Sequence, residues 1–157
     1  MAERELIQAS TEVDASPASV WEVVSDLRRM GERSPQCKKM FILRGPVSEG
    51  TVTVNLNNRG PLWWPTTSKV TRFERERVLA FHVPINGTTW TYELEPTATG
   101  TRLTESRRVK APGKAISNFL VNRFMGGVPA FEAELQRGIE ETLARIKAEA
   151  ERAPTTA

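Results

Sequence analysis

The chain has little of what most metal and nucleophilic sites are built from. Its 157 residues include one cysteine, one histidine and one tyrosine. A single cysteine cannot form a disulfide within the chain, which suits a reducing compartment. Zinc sites draw mainly on several cysteine and histidine ligands, so Cys37 and His82 alone argue against one. A Cys–His catalytic pair is unexpected for the same reason, because it would require these two residues, far apart in sequence, to come together in the fold. We therefore predict no metal ion and no cofactor.

Long apolar runs and a strong excess of one charge are also lacking. No stretch approaches the roughly 20 apolar residues of a membrane span, and the N-terminus carries charges where a signal peptide needs an apolar run. The net charge is only +3, and the basic residues are spread among acidic ones, as on a solvated surface. We expect a cytoplasmic protein that binds no nucleic acid. The sequence leaves open whether it forms a homodimer.

What the chain does contain fits one folded unit. Hydrophobic residues make up 39% and charged residues 26%, which is ordinary for a globular domain with one core. We expect residues 1–157 to form one domain, with a frayed tail over about 152–157.

Period-two alternation and turn residues predict an antiparallel sheet. A first strand over residues 5–14 is followed by a helix that begins at Ser16-Pro17. The Ser16 hydroxyl can cap this helix, and Pro17 lies where its missing N–H costs no hydrogen bond. A second, shorter helix is expected over 26–32, before Ser34-Pro35. Strands are then predicted over 38–43, 51–58, 66–73 and 78–83, with 59–65 as a loop that carries Trp63 and Trp64.

A hairpin over residues 87–108 is the clearest pattern in the chain. Trp90, Tyr92 and Leu94 alternate onto one face, a turn follows over 96–100, and Leu103, Glu105 and Arg107 share a face of the next strand. The aromatic face is either ordinary core or the wall of a cavity. Glu105 and Arg107 lie either at an exposed strand end or, if that face is inward, at a polar anchor for a ligand.

Two helical patterns follow the hairpin. Ile116, Leu120 and Phe124 share one helical face. In a long helix over about 129–151, the apolar residues stay within roughly a 120° arc, and these are Phe131, Leu135, Ile139, Leu143, Ile146 and Ala150. Such a helix must lie on the sheet.

Three smaller choices are open in the sequence. In the strand over 51–58 we favour an inward face of Val52, Val54 and Leu56 over one of Asn55 and Asn57. Trp63 and Trp64 either cap a cavity, form an adhesive patch or anchor their loop. His82 alternates against Phe81 and Val83, so we expect it to face solvent.

Several segments, in this order and spacing, resemble a known family. They are Val13 to Leu27, Ser34 to Cys37, Gly50, Asn57 with Arg59, Trp64, Phe81 to Val83, Trp90 to Pro96, Gly100 to Glu105 and the last helix. Over about residues 5–150 the chain resembles the START-like or SRPBCC superfamily, in its polyketide cyclase/dehydrase-like bacterial branch. It differs at Arg33, where many relatives carry an aromatic residue before Ser34-Pro35.

The resemblance implies an α+β helix-grip fold. In that fold a curved antiparallel sheet wraps a long C-terminal helix, two short helices follow the first strand, and a cavity lies between sheet and helix. Members bind lipids, polyketides and other apolar molecules, and catalytic residues are not shared across the superfamily. No catalytic residue can therefore be carried over to this chain.

These observations lead to one preferred function and two alternatives. The first is non-catalytic binding of a small apolar or amphipathic molecule, such as a lipid or polyketide. The second is a cyclase or dehydrase that uses Tyr92, Glu105 or Arg107 as acid–base groups, and the third is a protein that presents Trp63 and Trp64 to a partner. The predicted ligand-binding residues are Trp64, Phe81, Trp90, Tyr92, Leu94, Leu103, Glu105, Arg107, Phe124, Phe131 and Leu135.

Overall fold

A computed structural model describes residues 5–109 and 128–152. The predicted helical face of Ile116, Leu120 and Phe124 lies outside these residues. The described strands are β1 (Leu6–Val13), β2 (Cys37–Ile42), β3 (Val52–Arg59), β4 (Leu62–Glu74), β5 (Val78–Val83), β6 (Thr88–Pro96) and β7 (Thr101–Val109). The described helices are α1 (Pro17–Val24), a 3₁₀ helix (Leu27–Glu32) and α2 (Val128–Arg152).

The seven strands form one curved antiparallel sheet. Their order is β1-β7-β6-β5-β4-β3-β2, so each strand from β2 to β7 lies beside its neighbour in sequence and β1 closes the order next to β7. The long helix α2 covers the concave side. The predicted α+β helix-grip fold is therefore confirmed.

The segment between β1 and β2 folds as its sequence predicts, with a tighter second helix. The Ser16 hydroxyl accepts a hydrogen bond from the Ser19 amide at 3.2 Å and Pro17 occupies the first turn of α1. The predicted second helix is 3₁₀. It packs so closely on β2 that a Cβ atom at Gly31 would lie 1.8 Å from the Lys38 carbonyl oxygen, so only glycine fits.

Helix α2 lies along β1 and β7, at one side of the sheet. Side chains tie it to the backbone of β1: Gln136 Nε2 donates to the Gln8 carbonyl at 3.1 Å and Lys147 Nζ to the Glu12 carbonyl at 2.8 Å. Its predicted apolar stripe is buried at Leu135, Ile139, Leu143, Ile146 and Ala150. At about 1.5–3 kcal/mol for each large side chain, this burial contributes on the order of 10 kcal/mol. No helix within the described residues is long and apolar enough to cross a membrane.

The prediction of a loop over residues 59–65 is wrong. Strand β3 runs to Arg59 and β4 begins at Leu62, so only Gly60 and Pro61 connect them. Pro65 is tolerated inside β4 because pairing with β5 begins only at Lys69. At Pro65 the side of β4 that would face β5 is a sheet edge, so the missing N–H of the proline removes no hydrogen bond between strands.

Candidate ligand-binding cavity

A cavity of about 1280 Å³ lies between the concave face of the sheet and α2. It forms because α2 packs on the β1–β7 side, while β2 to β5 curve away from the helix. Small-molecule sites commonly have about 300–1,000 Å³, so this cavity has room for a ligand with some water. Besides the residues discussed below, its lining includes Met30, Ser34, Pro35, Gln36, Met40, Val83, Ile85, Gly138, Ile139 and Thr142.

Large apolar side chains form much of the wall. Phe81 on β5 lies directly opposite Trp90 on β6 in the strand register, and Leu135 and Ile139 face them from α2. Eight of the predicted ligand-binding residues line the cavity: Trp64, Phe81, Trp90, Tyr92, Glu105, Arg107, Phe131 and Leu135. Their role in binding stays a prediction.

Three other predicted residues are not placed there. Leu94 and Leu103 lie opposite each other near the turn of the hairpin. Both are buried in the packed core, outside the cavity lining. Phe124 lies outside the described residues. Period-two spacing put Leu94 and Leu103 on the correct face, but it could not show where along the strand the packed core ends.

Glu105 and Tyr92 form a buried polar pair in the cavity wall. They lie directly opposite each other on β7 and β6, and Glu105 is only 2% exposed. Burial raises the pKa of the Glu105 carboxyl to about 8, although the facing Tyr92 hydroxyl lowers it. Burial, followed by the Glu105 carboxyl, raises the pKa of Tyr92 well above its usual value. At neutral pH both groups therefore hold their protons.

Arg107 enters the same cavity two residues further along β7. It is 4% exposed, so an exposed strand end is the wrong alternative for both Glu105 and Arg107. Its guanidinium lies over the Phe131 ring, 5.9 Å from the centroid, a cation–π arrangement between β7 and α2. Glu105 faces Tyr92, so the carboxyl and the guanidinium occupy separate positions in the wall.

Polar side chains of β3 and β4 form a second part of the cavity wall, and they show which face of β3 is turned inward. Val52 is 40% exposed, whereas Asn55 is buried and lines the cavity with Asn57. The two amides are held by Thr66, whose hydroxyl lies 3.3 Å from Asn55 Nδ2 and 3.0 Å from Asn57 Nδ2. Asparagine is stable inside because its donors are satisfied. The expectation that Val52, Val54 and Leu56 face inward is therefore wrong.

An ion pair joins the two sides of the cavity near the β3–β4 turn. Arg59 Nε donates to Glu134 Oε2 of α2 at 2.6 Å, and both residues belong to the lining. Both side chains are partly exposed, so their pairing contributes under about 1 kcal/mol.

The two tryptophans of β4 lie on opposite faces. Trp64 is half-buried in the cavity wall, whereas Trp63 is 56% exposed on the outer surface. Alternation along a strand, rather than a loop, separates them.

Cys37 and His82 do not form a catalytic pair. Cys37 lines the cavity, and burial raises the pKa of its thiol to about 11, so it is a poor nucleophile at neutral pH. His82 alternates against the buried Phe81 and Val83, and its Nδ1 lies 3.0 Å from the Thr89 hydroxyl on the outer face.

The family model described as polyketide cyclase/dehydrase and lipid transport matches residues 4–151, almost the whole chain. The chain belongs to this family. The resemblance inferred from the sequence is therefore confirmed. No curated protein matches the chain significantly.

Several solved structures share the fold of this chain. A polyketide-cyclase-like protein of Corynebacterium glutamicum is 28% identical, with 94% of this chain and 90% of that one covered and a TM-score of 0.64. The ZhuI aromatase/cyclase of Streptomyces sp. R1128 is 22% identical over 94% of this chain and 93% of that one, with a TM-score of 0.74. A di-domain aromatase/cyclase of the steffimycin pathway is 15% identical over 94% of this chain and 50% of that one, with a TM-score of 0.71.

Arg33, which precedes Ser34-Pro35, has a structural role. It is 1% exposed, its Nε and Nη2 donate to the Glu149 carboxylate of α2 at 3.0 and 3.3 Å, and Nη1 donates to the Asp26 carbonyl at 3.1 Å. No local pattern could predict this pair, because the two residues are 116 positions apart.

Proposed function

We propose that this protein binds a small, mostly apolar molecule with polar substituents inside the cavity between the sheet and α2. The observation that carries the proposal is a cavity of about 1280 Å³ whose aromatic and aliphatic walls converge on a few ordered polar groups. This is the composition of most small-molecule sites. Membership of a family that includes lipid transport and polyketide cyclases supports it.

The two kinds of wall have different roles in the proposed binding. Phe81, Trp90 and Leu135 remove apolar ligand surface from water, which is favourable by roughly 25 cal/mol per Å². Asn55, Asn57 and Thr66 offer hydrogen bonds along one side. Because each hydrogen bond contributes little net free energy, these groups determine the orientation of a ligand more than its affinity. A ligand with oxygen substituents along one edge would use both.

A pair of variants on β4 tests whether binding takes place in the cavity. Thr66 points into the cavity and Thr67 to the exposed outer face of the same strand. Thr66→Trp should place an indole ring in the cavity and lower affinity for the fluorescent probe N-phenylnaphthylamine at least tenfold, whereas Thr67→Trp should bind it as the wild type does. Fluorescence titration gives the dissociation constants, and thermal melts show whether both variants are folded.

Equal affinity in the two variants, or no binding by the wild type, would contradict the proposal. Mass spectrometry of the purified protein under native conditions provides a second measurement. An apolar molecule carried through purification by the wild type and Thr67→Trp, but lost from Thr66→Trp, would identify the ligand class directly.

The alternative function is a cyclase or dehydrase, and the Glu105–Tyr92 pair favours it. Both groups hold protons at neutral pH and line the cavity, so they could protonate a ligand oxygen during a condensation or loss of water. The test is incubation with a linear poly-β-ketone thioester, followed by chromatography. Cyclised product that disappears in Glu105→Gln and Tyr92→Phe would establish catalysis, and product equal to the buffer blank would leave binding as the function.

A further inference from the structure

One oxygen of the buried Glu105 carboxyl lacks a protein partner within the described part of the chain. Oε1 of this side chain is fully buried and accepts or donates no hydrogen bond there. An unsatisfied buried carboxyl oxygen is costly, and folded proteins seldom retain one without a reason. Glu105 also lines the cavity, so a molecule inside could supply the missing partner.

Tyr92 adds a second polar hydrogen at the same place. It lies opposite Glu105 in the strand register, it is buried, and it too lines the cavity. Its hydroxyl contacts the Met30 sulfur at 3.8 Å and also interacts with the Glu105 carboxyl across the strand pair. Sulfur is a weak acceptor, so a carbonyl oxygen in the cavity could accept from the phenol O–H in its place.

We propose that Glu105 and Tyr92 form a hydrogen-bond-donating subsite that binds a carbonyl oxygen of the ligand. The proposal rests on the function proposed above and narrows its ligand class to molecules with a ketone or similar carbonyl group. A carbonyl oxygen has two lone pairs and no proton, so it can accept from the carboxyl O–H and the phenol O–H together.

The protonation state of Glu105 supports this assignment. Burial raises the pKa of its carboxyl to about 8, so at neutral pH the group is an acid with a proton to donate. Above that pH it becomes a carboxylate, which accepts hydrogen bonds and repels a carbonyl oxygen. The subsite should therefore bind carbonyl compounds below this pKa and lose them above it.

Other ionisable and charged groups surround the pair. Tyr92 and Cys37 have raised pKa values, the latter about 11. The remaining charged groups of the surroundings are Arg33, which follows the 3₁₀ helix and interacts with Tyr92, and Arg107 on β7 and Glu134 on α2, which line the same cavity. Of Glu105, Tyr92 and Cys37, Glu105 is the group whose pKa lies between about pH 6 and about pH 9.5, and its Gln and Leu variants show whether a change in binding over this range comes from it.

The experiment compares two probes of one shape. Methyl naphthyl ketone carries a carbonyl oxygen, and isopropenylnaphthalene has a CH₂ group in its place. We expect the wild type to bind the ketone roughly three- to tenfold more tightly at about pH 6 and to lose this preference at about pH 9.5. Glu105→Gln keeps an N–H donor that does not titrate, so it should prefer the ketone at both pH values, whereas Glu105→Leu should show no preference at either.

Other outcomes would contradict the subsite, and they differ in whether they also contradict the proposed function. Equal binding of the two probes by the wild type at about pH 6 would overturn the subsite while leaving the proposed function intact. A ketone preference that persists in Glu105→Leu, or in the wild type at about pH 9.5, would overturn it as well. If neither probe binds, the proposed function fails and the subsite fails with it.

Discussion

The Glu105 carboxyl is buried, and this should be visible in the pH dependence of stability. Its pKa is about 8 in the folded protein and about 4.5 for an exposed carboxyl. The folded state therefore binds more protons than the unfolded state between these values, and stability falls as pH rises through that window. Above about pH 8 the cost is fully present.

The first prediction is that Glu105→Gln removes this loss. At about pH 9 the variant should be more stable than the wild type by on the order of 4 kcal/mol, since one pKa unit corresponds to about 1.4 kcal/mol. At about pH 4, where the wild-type carboxyl is protonated in both states, the difference should nearly vanish. Urea denaturation at several pH values measures it, and parallel stability curves for the two proteins would contradict the prediction.

Arg33 provides a second test, with the opposite dependence on pH. Burial alone would raise the pKa of Glu149, but the Arg33 and Arg29 guanidinium groups lower it below its usual value. The stabilisation from this pair is thus present above the ordinary carboxyl pKa and is lost as pH falls through the lowered value.

We predict that Arg33→Met destabilises the protein by about 1–3 kcal/mol at neutral pH. The loss is moderate because Glu149 is partly exposed and retains its pairing with Arg29 at 2.5 Å. Arg28→Met is the control, because Arg28 is exposed on the 3₁₀ helix that precedes Arg33. Denaturation that gives equal stabilities for the two variants would show that the buried pair contributes nothing.

At the scale of single residues, regular spacing predicted the inward-facing apolar side chains well. Phe81, Trp90 and Leu135 were placed correctly on the cavity side by their spacing alone. Asn55 was not, because its burial depends on Thr66 of the next strand, which local pattern cannot show. Residues that are buried through distant polar partners need the fold before they can be recognised.

At the scale of elements, α2 is the helix whose docking can be tested most directly. Ile139 lies at the centre of its buried stripe, and Ala144 is exposed on the other side. We predict that Ile139→Asp prevents folding, because it places a charge among apolar groups, whereas Ala144→Asp changes stability by less than about 0.5 kcal/mol. Circular dichroism and thermal melts distinguish the two, and a cooperative wild-type melt for Ile139→Asp would contradict the docking.

Strong periodicity made most elements predictable, but turn residues near the start of β4 suggested a loop where the structure has a strand. The β6–β7 hairpin and α2 follow the expected positions closely because each alternates or repeats over many residues. Gly60, Pro61 and Pro65 suggested a loop, but the last of these lies at a local sheet edge. Whether a proline interrupts a strand depends on the partner strand, which is set by the tertiary fold.

For the whole molecule, the position of α2 divides the interior into a packed side and a hollow side. On the packed side, Leu143 and Ile146 join Ile7, Val13 and Leu103 in the core. On the hollow side, the helix residues Leu135 and Ile139 face the cavity. This division explains how one helix can both hold the fold together and leave room for a ligand.

The last prediction uses two leucines of α2 to separate these roles. Leu143 and Leu135 are both buried on the same helix, but only Leu135 lines the cavity. Leu143→Ala should create a new void in a packed region and cost roughly 3–5 kcal/mol, while Leu135→Ala enlarges a space that already exists and should cost about half as much. Affinity for N-phenylnaphthylamine should show the reverse order, weakened in Leu135→Ala and unchanged in Leu143→Ala. Urea denaturation and fluorescence titration of both variants measure the two effects. Equal losses of stability with equal dissociation constants would mean that the two leucines share one environment, and the division of the interior would be wrong.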